Sequence, residues 1–312
     1  MINILLATYN GEKYLPAQLD SLLAQTFEDF YVYVRDDGSE DKTKKILAEY
    51  AGKYPGKIRL IPNSKPSGSA KNNFFAMINE GEYAGEYFMF CDQDDVWHPD
   101  KIKITYEKMI KKEYNAGKSC PVLIHTDLQV VDEELQIKAP SFARYQGLKP
   151  RKARTLQSLL VQNNITGCTV MVNRSLFELA KIKDTGSILM HDWWMGLIAA
   201  AFGEISFINH ATICYRQHGG NQVGAKNVYD VKYITRQIGE KLRKKGKYQS
   251  TGAQAEAFYK RFKEQLNTEQ KVLVQKYVRL PHIGKVARCI RVIKHQFWMQ
   301  GFSRRIAQLF FG

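Results

Sequence analysis

Cysteine is scarce in this chain of 312 residues, and the five present, Cys91, Cys120, Cys168, Cys214 and Cys289, are widely spaced with no Cys-x-x-Cys pair. That pattern excludes a disulfide-stapled secreted fold and a zinc ribbon, and it fits a reducing, cytoplasmic setting. Long apolar runs are missing too. Nowhere do about 18 consecutive apolar residues occur, the length a membrane-spanning helix needs, and the opening residues from Met1 to Thr8 offer neither a basic leader nor an apolar stretch suited to a signal peptide. No Gly-x-Gly-x-x-Gly follows the first strand, and no Gly-x-x-x-x-Gly-Lys-Ser/Thr occurs anywhere. This argues against a dinucleotide enzyme and a P-loop NTPase. Acidic residues thin out late in the chain: residues 221–312 hold 20 Lys/Arg against 5 Asp/Glu, whereas residues 1–220 hold 26 of each. The whole net charge of +15 therefore sits in the last 92 residues, which marks a segment with its own, anionic partner.

What the chain does contain is an apolar run, Phe88-Met89-Phe90-Cys91, that ends in Asp92-Gln93-Asp94-Asp95-Val96-Trp97. Three carboxylates within four residues repel one another, and a hard divalent cation such as Mg²⁺ or Mn²⁺ relieves the repulsion while leaving coordination positions for water and phosphate. A solvated acidic turn ahead of a helix explains the same residues when they are taken alone.

The neighbouring segments alternate between strand and helix. Residues 2–7 form an apolar run ending at Thr8-Tyr9-Asn10-Gly11, helically spaced leucines follow, and residues 30–34 read as a second strand ending at Arg35-Asp36-Asp37-Gly38-Ser39. Further helices are expected over about 41–54 and 70–79, with strands over 58–61 and 87–91. The order predicts an α/β fold, an open and mostly parallel sheet with helices on both faces. In such sheets ligands bind beyond the carboxyl ends of the strands. Three polar clusters fall on that edge. Strands are also expected at 122–127 and 167–172, with a basic loop over 140–154 between them. Asn163-Asn164-Ile165-Thr166-Gly167 could line a pocket, and Met190-His191-Asp192-Trp193-Trp194 opens an apolar helix reaching Phe202.

Five of these segments, in order, resemble the family 2 glycosyltransferases of the GT-A (Rossmann-like) fold, particularly rhamnosyltransferase-like enzymes that build bacterial cell-surface polysaccharides. They are Ala7-Thr8-Tyr9-Asn10-Gly11, Arg35-Asp36-Asp37-Gly38-Ser39, Asp92-Gln93-Asp94-Asp95-Val96-Trp97, His191-Asp192-Trp193-Trp194 and Tyr215-Arg216-Gln217-His218-Gly219-Gly220-Asn221. The likeness spans roughly residues 1–225, read as the catalytic domain, and leaves 226–312 as a basic, mainly helical C-terminal region. The resemblance implies that Thr8, Tyr9, Asn10, Glu12, Asp36, Asp37 and Lys71 hold the nucleotide of an activated sugar. Asp92 and Gln93 belong to the metal motif, Asp92 as a ribose or indirect contact, and Asp94 is its direct ligand. His218 would complete the metal or diphosphate site. Asp192 matches the single base of inverting members, which deprotonates the acceptor hydroxyl. Where the family usually shows an acidic pair, this chain has His191-Asp192. Asn164, Thr166, Gly167, Trp193 and Trp194 would line the acceptor side.

The implied activity is inverting, metal-dependent transfer of a sugar, L-rhamnose from dTDP-rhamnose or a hexose from a UDP-sugar, onto a lipid-linked or growing cell-surface glycan. A nucleotidyltransferase acting on sugar phosphates is the rival within the same class, but its activating basic loop is missing, since no Lys or Arg precedes Lys13. A nucleic-acid-binding protein is suggested by charge alone, and the aromatics are not interleaved with the tail's basic residues as a single-strand groove requires. Beyond residue 229 the chain reads as helical and cationic, including Lys241-Leu242-Arg243-Lys244-Lys245-Gly246-Lys247. Near the C-terminus Val286, Ile290, Ile293 and Phe297 form one apolar stripe, and Phe302, Ile306, Leu309 and Phe310 another. Such basic amphipathic segments suit the inner, anionic membrane surface, docking onto the catalytic domain, or pairing of two copies into a homo-oligomer.

Overall fold

The structure, a computed structural model, describes residues 1–63, 65–219 and 247–311. Gly220 and Asn221 of the fifth motif, the division near 225 and the basic run over 241–246 lie outside the described residues.

The first half delivers the expected alternation: β1 (Ile2–Thr8), α1 (Leu15–Leu23), β2 (Phe30–Asp36), α2 (Thr43–Lys53), β3 (Ile58–Leu60), α3 (Ala70–Glu80) and β4 (Tyr87–Cys91). β1 pairs in parallel with β2 and β4, and β2 with β3. Alternate residues of each strand enter opposite cores. Ile2, Ile4 and Leu6 pack with Leu15, Leu19 and Leu22 of α1, whereas Leu5 and Ala7 pack with Phe74, Phe75 and Ile78 of α3. Burial on both faces explains why β1 reads as an unbroken apolar run. Each fully buried side chain of this size contributes about 1.5–3 kcal/mol.

The second half adds β5 (Val96–Trp97), α4 (Lys101–Ala116), β6 (Val122–Val131), β7 (Ile137–Ala139), α5 (Phe142–Tyr145), α6 (Leu156–Val161), β8 (Val170–Asn173), α7 (Arg174–Ala180), α8 (His191–Phe202) and β9 (Glu204–Arg216). The sheet order is β3-β2-β1-β4-β8-β6-β9-β5, with β7 on β6. Here the parallel pattern gives way: β8 runs antiparallel to both β4 and β6, and β5 antiparallel to β9, while β6 and β9 are parallel. Two local expectations are corrected. The strand expected from 167 starts at Val170, because Gly167–Thr169 forms a 3-10 turn, and the loop over 140–154 contains the short helix α5, capped by the Ser141 side chain.

Beyond the undescribed segment come α9 (Lys247–Phe262), α10 (Thr268–Val278), α11 (Lys285–Lys294) and α12 (Phe302–Phe311). Phe258 and Phe262 of α9, Val274 and Tyr277 of α10, and Phe297 in the turn between α11 and α12 belong to the same core as α3, α7 and α8. No helix among the described residues is long and apolar enough to cross a membrane.

Candidate active site

The site forms where β1, β2 and β4 end together. Register places Thr8 opposite Asp36, and the Thr8 hydroxyl donates to Asp36 Oδ1 at 3.0 Å. Asp36 Oδ2 accepts the amides of Gly38 and Ser39 at 3.1 and 2.9 Å. Gly38 sits at φ +89°, and a Cβ there would also lie 2.8 Å from the Pro66 ring, so this turn needs glycine. The Asn10 amide donates to Ser39 Oγ, and Asn10 Oδ1 accepts the Glu40 amide, each at 2.8 Å. The Glu12 carboxylate accepts the Lys42 amide at 2.9 Å. Gln93 joins the third loop to the first: its Oε1 accepts the Tyr9 amide and its Nε2 donates to the Tyr9 carbonyl, both at 2.8 Å. Three loops are thereby locked into one rim, from which the Tyr9 ring projects 56% exposed.

Two expected nucleotide contacts have other work. Asp37 is buried against Arg35 at 3.0 Å and accepts the amides of Ser67 and Gly68, so it braces the segment leading to α3. Lys71 donates to the carbonyls of Thr185 and Ile188, both at 3.0 Å, fastening the segment that precedes α8.

The acidic loop divides into two levels. Outward, Asp94 Oδ2 lies 2.8 Å from His218 Nε2, and both side chains are 16% exposed. The His218 ring packs against Tyr14 at 4.7 Å. The Tyr14 hydroxyl donates to Glu133 at 2.9 Å, and Arg216 lies over the same ring at 4.6 Å. Inward, donor atoms of Asp92, Asp95 and Cys168 fall within 4.8 Å of one another. Burial, then Asp94 and Asp192, push the Asp92 carboxyl up to about 7. Burial also raises Asp95 and Cys168 well above their ordinary values. Sulfur is a soft ligand and a poor partner for a hard cation. The outer pair of one carboxylate and one imidazole suits Mn²⁺ or Mg²⁺ better. Beneath the loop Lys101 is fully buried with its ammonium 4.5 Å from the Trp97 ring, and burial lowers it to about 8.

Asp192 occupies the first turn of α8, whose N-cap is Met190. The side chain is 6% exposed. Its Oδ1 accepts the Trp193 amide at 2.5 Å and Asn163 Nδ2 at 3.2 Å. Burial raises it to about 7, the hydrogen bonds working against that rise. A carboxylate so placed can hold or release a proton near neutral pH. His191 is packed between Phe74 and Phe90 at 4.2 and 4.8 Å, and burial lowers it to about 3. Gly167 is needed here, because a Cβ would lie 2.8 Å from His191 Nε2.

Of the residues expected on the acceptor side, Trp194 and Asn164 point elsewhere, while Trp193 stays beside Asp192. Trp194 has no exposed surface; its indole donates to the Ala180 carbonyl at 3.1 Å and packs against Phe258 and Phe262 of α9. Trp193 keeps partial exposure beside Asp192, its indole donating to the Leu159 carbonyl at 2.6 Å. Asn164 turns away to the Ala153 carbonyl at 2.6 Å, and with Thr166 it borders a small pocket shared with His125, Asp127 and Phe142. The amide that reaches Asp192 is Asn163, one residue earlier. Glu133 and Tyr14 were missed, and 119 residues separate them, so local sequence carried no signal of their pairing.

The three joined loops and the acidic segment thus lie together on the carboxyl edge of an α/β sheet, the edge where such folds bind ligands. The profile of Glycosyl transferase family 2 matches residues 3–179, and the chain belongs to that family. It is a glycosyltransferase, not the nucleotidyltransferase held as its rival. It is 29% identical over 236 residues to the dTDP-rhamnosyl transferase RfbG of Shigella flexneri, covering 73% of this chain and 76% of that protein. An uncharacterized glycosyltransferase, alr2836, of Nostoc is 26% identical over 70% of this chain and 66% of its own length. Among solved structures, S. aureus TarS 1-349 in complex with UDP-GlcNAc superposes with a TM-score of 0.56 at 17% identity, covering 95% of this chain and 86% of that one. GalNAc-T7 with UDP, GalNAc and Mn²⁺ gives 0.50 at 12% identity, covering 70% and 44%. Both support the GT-A fold.

Proposed function

We propose that this enzyme is an inverting, divalent-metal-dependent glycosyltransferase that moves L-rhamnose from dTDP-rhamnose onto a lipid-linked or growing cell-surface glycan. The observation that carries the reading is the arrangement of Asp192 with the acidic loop: its buried carboxyl, raised to about 7, lies close enough to Asp92 to raise it in turn, as does Asp94, the partner of His218. Attack on one face of the anomeric carbon and departure on the other need that separation of roles. RfbG, named for dTDP-rhamnosyl transfer, supports the donor; TarS, with UDP-GlcNAc, supports a UDP-sugar as the alternative.

Asp94 and His218 would hold Mn²⁺ or Mg²⁺, as the Mn²⁺ complex of GalNAc-T7 supports. The ion would neutralise the diphosphate and stabilise the charge of the departing nucleotide. Tyr9, Asn10 and Asp36 form the rim for the base and ribose, and Gln93 keeps that rim shut against the metal loop. Asp192 takes the acceptor proton, with Asn163 orienting it and Trp193 beside it as the sugar-facing wall. We place the reaction at the cytoplasmic face of the membrane, in keeping with the five unpaired cysteines.

Calorimetric titration with dTDP and UDP, each with and without Mn²⁺, tests the reading. Metal-dependent binding that Asp94→Ala abolishes is the expected result, with dTDP the tighter ligand; absence of nucleotide binding in every condition refutes it.

A further inference from the structure

We propose that the C-terminal pair α11 and α12 is a docking surface for an anionic lipid bilayer and that it sets the acceptor side of the site against the membrane. Val286, Ile290 and Ile293 of α11 are 74%, 59% and 55% exposed, and Phe302 and Ile306 of α12 are 80% and 42% exposed. Spacings of four and three residues put each set on one face of its helix. The described residues leave this apolar surface uncovered, although the other side of the pair and its connecting turn are well buried: Val292, Phe297 and Met299 lie in the core, and Cys289 Sγ meets the Leu309 carbonyl at 3.4 Å.

Charge identifies the occupant. Residues 270–312 contain nine Lys/Arg and no Asp or Glu. They pack on a second acid-free stretch, 135–177, which contains seven. Exposed Lys149, Arg151, Lys152 and Arg154 lie beside the α11–α12 turn, where the Lys149 amide donates to Gln300 Oε1 at 2.6 Å. Lys285 and Lys294 are exposed on α11 itself. A symmetric contact between two copies would bring this patch onto itself and set cation against cation. An interface of anionic headgroups above acyl chains satisfies both the basic rim and the apolar row.

The attachment to the site is short. The Gln300 amide donates to Gln162 Oε1 at 2.8 Å, and Gln157 reaches the His295 carbonyl. Gln162 immediately precedes Asn163, whose side chain holds Asp192. A bilayer that seats α11 and α12 therefore lies next to the acceptor side, where a lipid-linked substrate would present its hydroxyl. That last step rests on the acceptor proposed above; the docking itself does not.

Flotation of the full chain with vesicles of phosphatidylcholine alone, or with about a third phosphatidylglycerol, at low and high salt, tests the proposal. The protein is expected to float with the anionic vesicles alone and to be released by salt. At about fivefold for each basic residue near the surface, Lys285→Gln with Lys294→Gln should weaken partitioning roughly 25-fold. Ile290→Ser with Phe302→Ser should weaken it at least tenfold, while both pairs keep wild-type melting and nucleotide binding. A wild type that binds nucleotide but floats with neither vesicle overturns the proposal. So does a serine pair that turns a dimer into a monomer and leaves flotation unchanged. Flotation without nucleotide binding would instead refute the donor reading and keep the membrane surface.

Discussion

Replacing Asp192 by Asn should remove activity and yet stabilise the enzyme at alkaline pH. The wild-type carboxyl sits at about 7 where its ordinary value is 3.8, and burial is the largest cause. The folded chain thus holds a proton at pH values where the unfolded chain has released it, so wild-type stability falls as pH rises from about 4 to about 7 and then levels off. At ~1.4 kcal/mol for each tenfold, the full difference is on the order of 4 kcal/mol. Asn keeps the shape and a hydrogen-bonding side chain but carries no charge. Its advantage should therefore be near zero at pH 4 and approach that ceiling above pH 7, with local relaxation reducing it to about 2 kcal/mol. Urea unfolding of both proteins across this range measures the difference directly. The same substitution should let Asp92 titrate lower, because Asp192 is one of the charges that raise it. Stability curves that run parallel at every pH would refute the argument, since a carboxylate with an ordinary pKa gives no widening gap.

Three further outcomes are expected. Asn163→Ala removes a hydrogen bond that favours ionised Asp192; the pH–rate profile should move to higher pH by about one unit, with kcat recovering in alkali, and an unmoved profile would count against the role. Gln93→Ala removes both bonds between the first loop and the acidic loop; at about 1 kcal/mol each, donor KM should rise roughly tenfold or more with little change in melting temperature. Trp194→Ala empties a fully buried site against α9, and chemical denaturation should show a loss of about 3–5 kcal/mol; a smaller loss accompanied by a specific rise in acceptor KM would restore the acceptor-wall reading.

Most of the rim at the strand ends was legible because its signals are local. Apolar runs give strands, the residues just after them must lie on one edge of a parallel sheet, and Thr8, Asp36 and Asp92 follow from that alone. The register that pairs Thr8 with Asp36 bears this out. Legibility failed where a side chain's direction depends on a turn. Asn163 and Asn164 are neighbours of one type, yet one reaches Asp192 and the other the Ala153 carbonyl. The Trp193-Trp194 pair fails for the same reason: adjacent positions on α8 point about 100° apart, so one faces the site and the other the core.

The sequence by itself determined the α/β order, the positions of the acidic loop and α8, the family likeness and the uneven charge, because each depends on composition or on spacing within a few residues. Only the tertiary structure decided that Asp37 and Lys71 brace the scaffold, that Glu133 and Tyr14 meet beneath His218, and that the C-terminal helices share the core behind Trp194. Those outcomes depend on contacts between residues far apart in the chain, which packing fixes and local pattern does not encode.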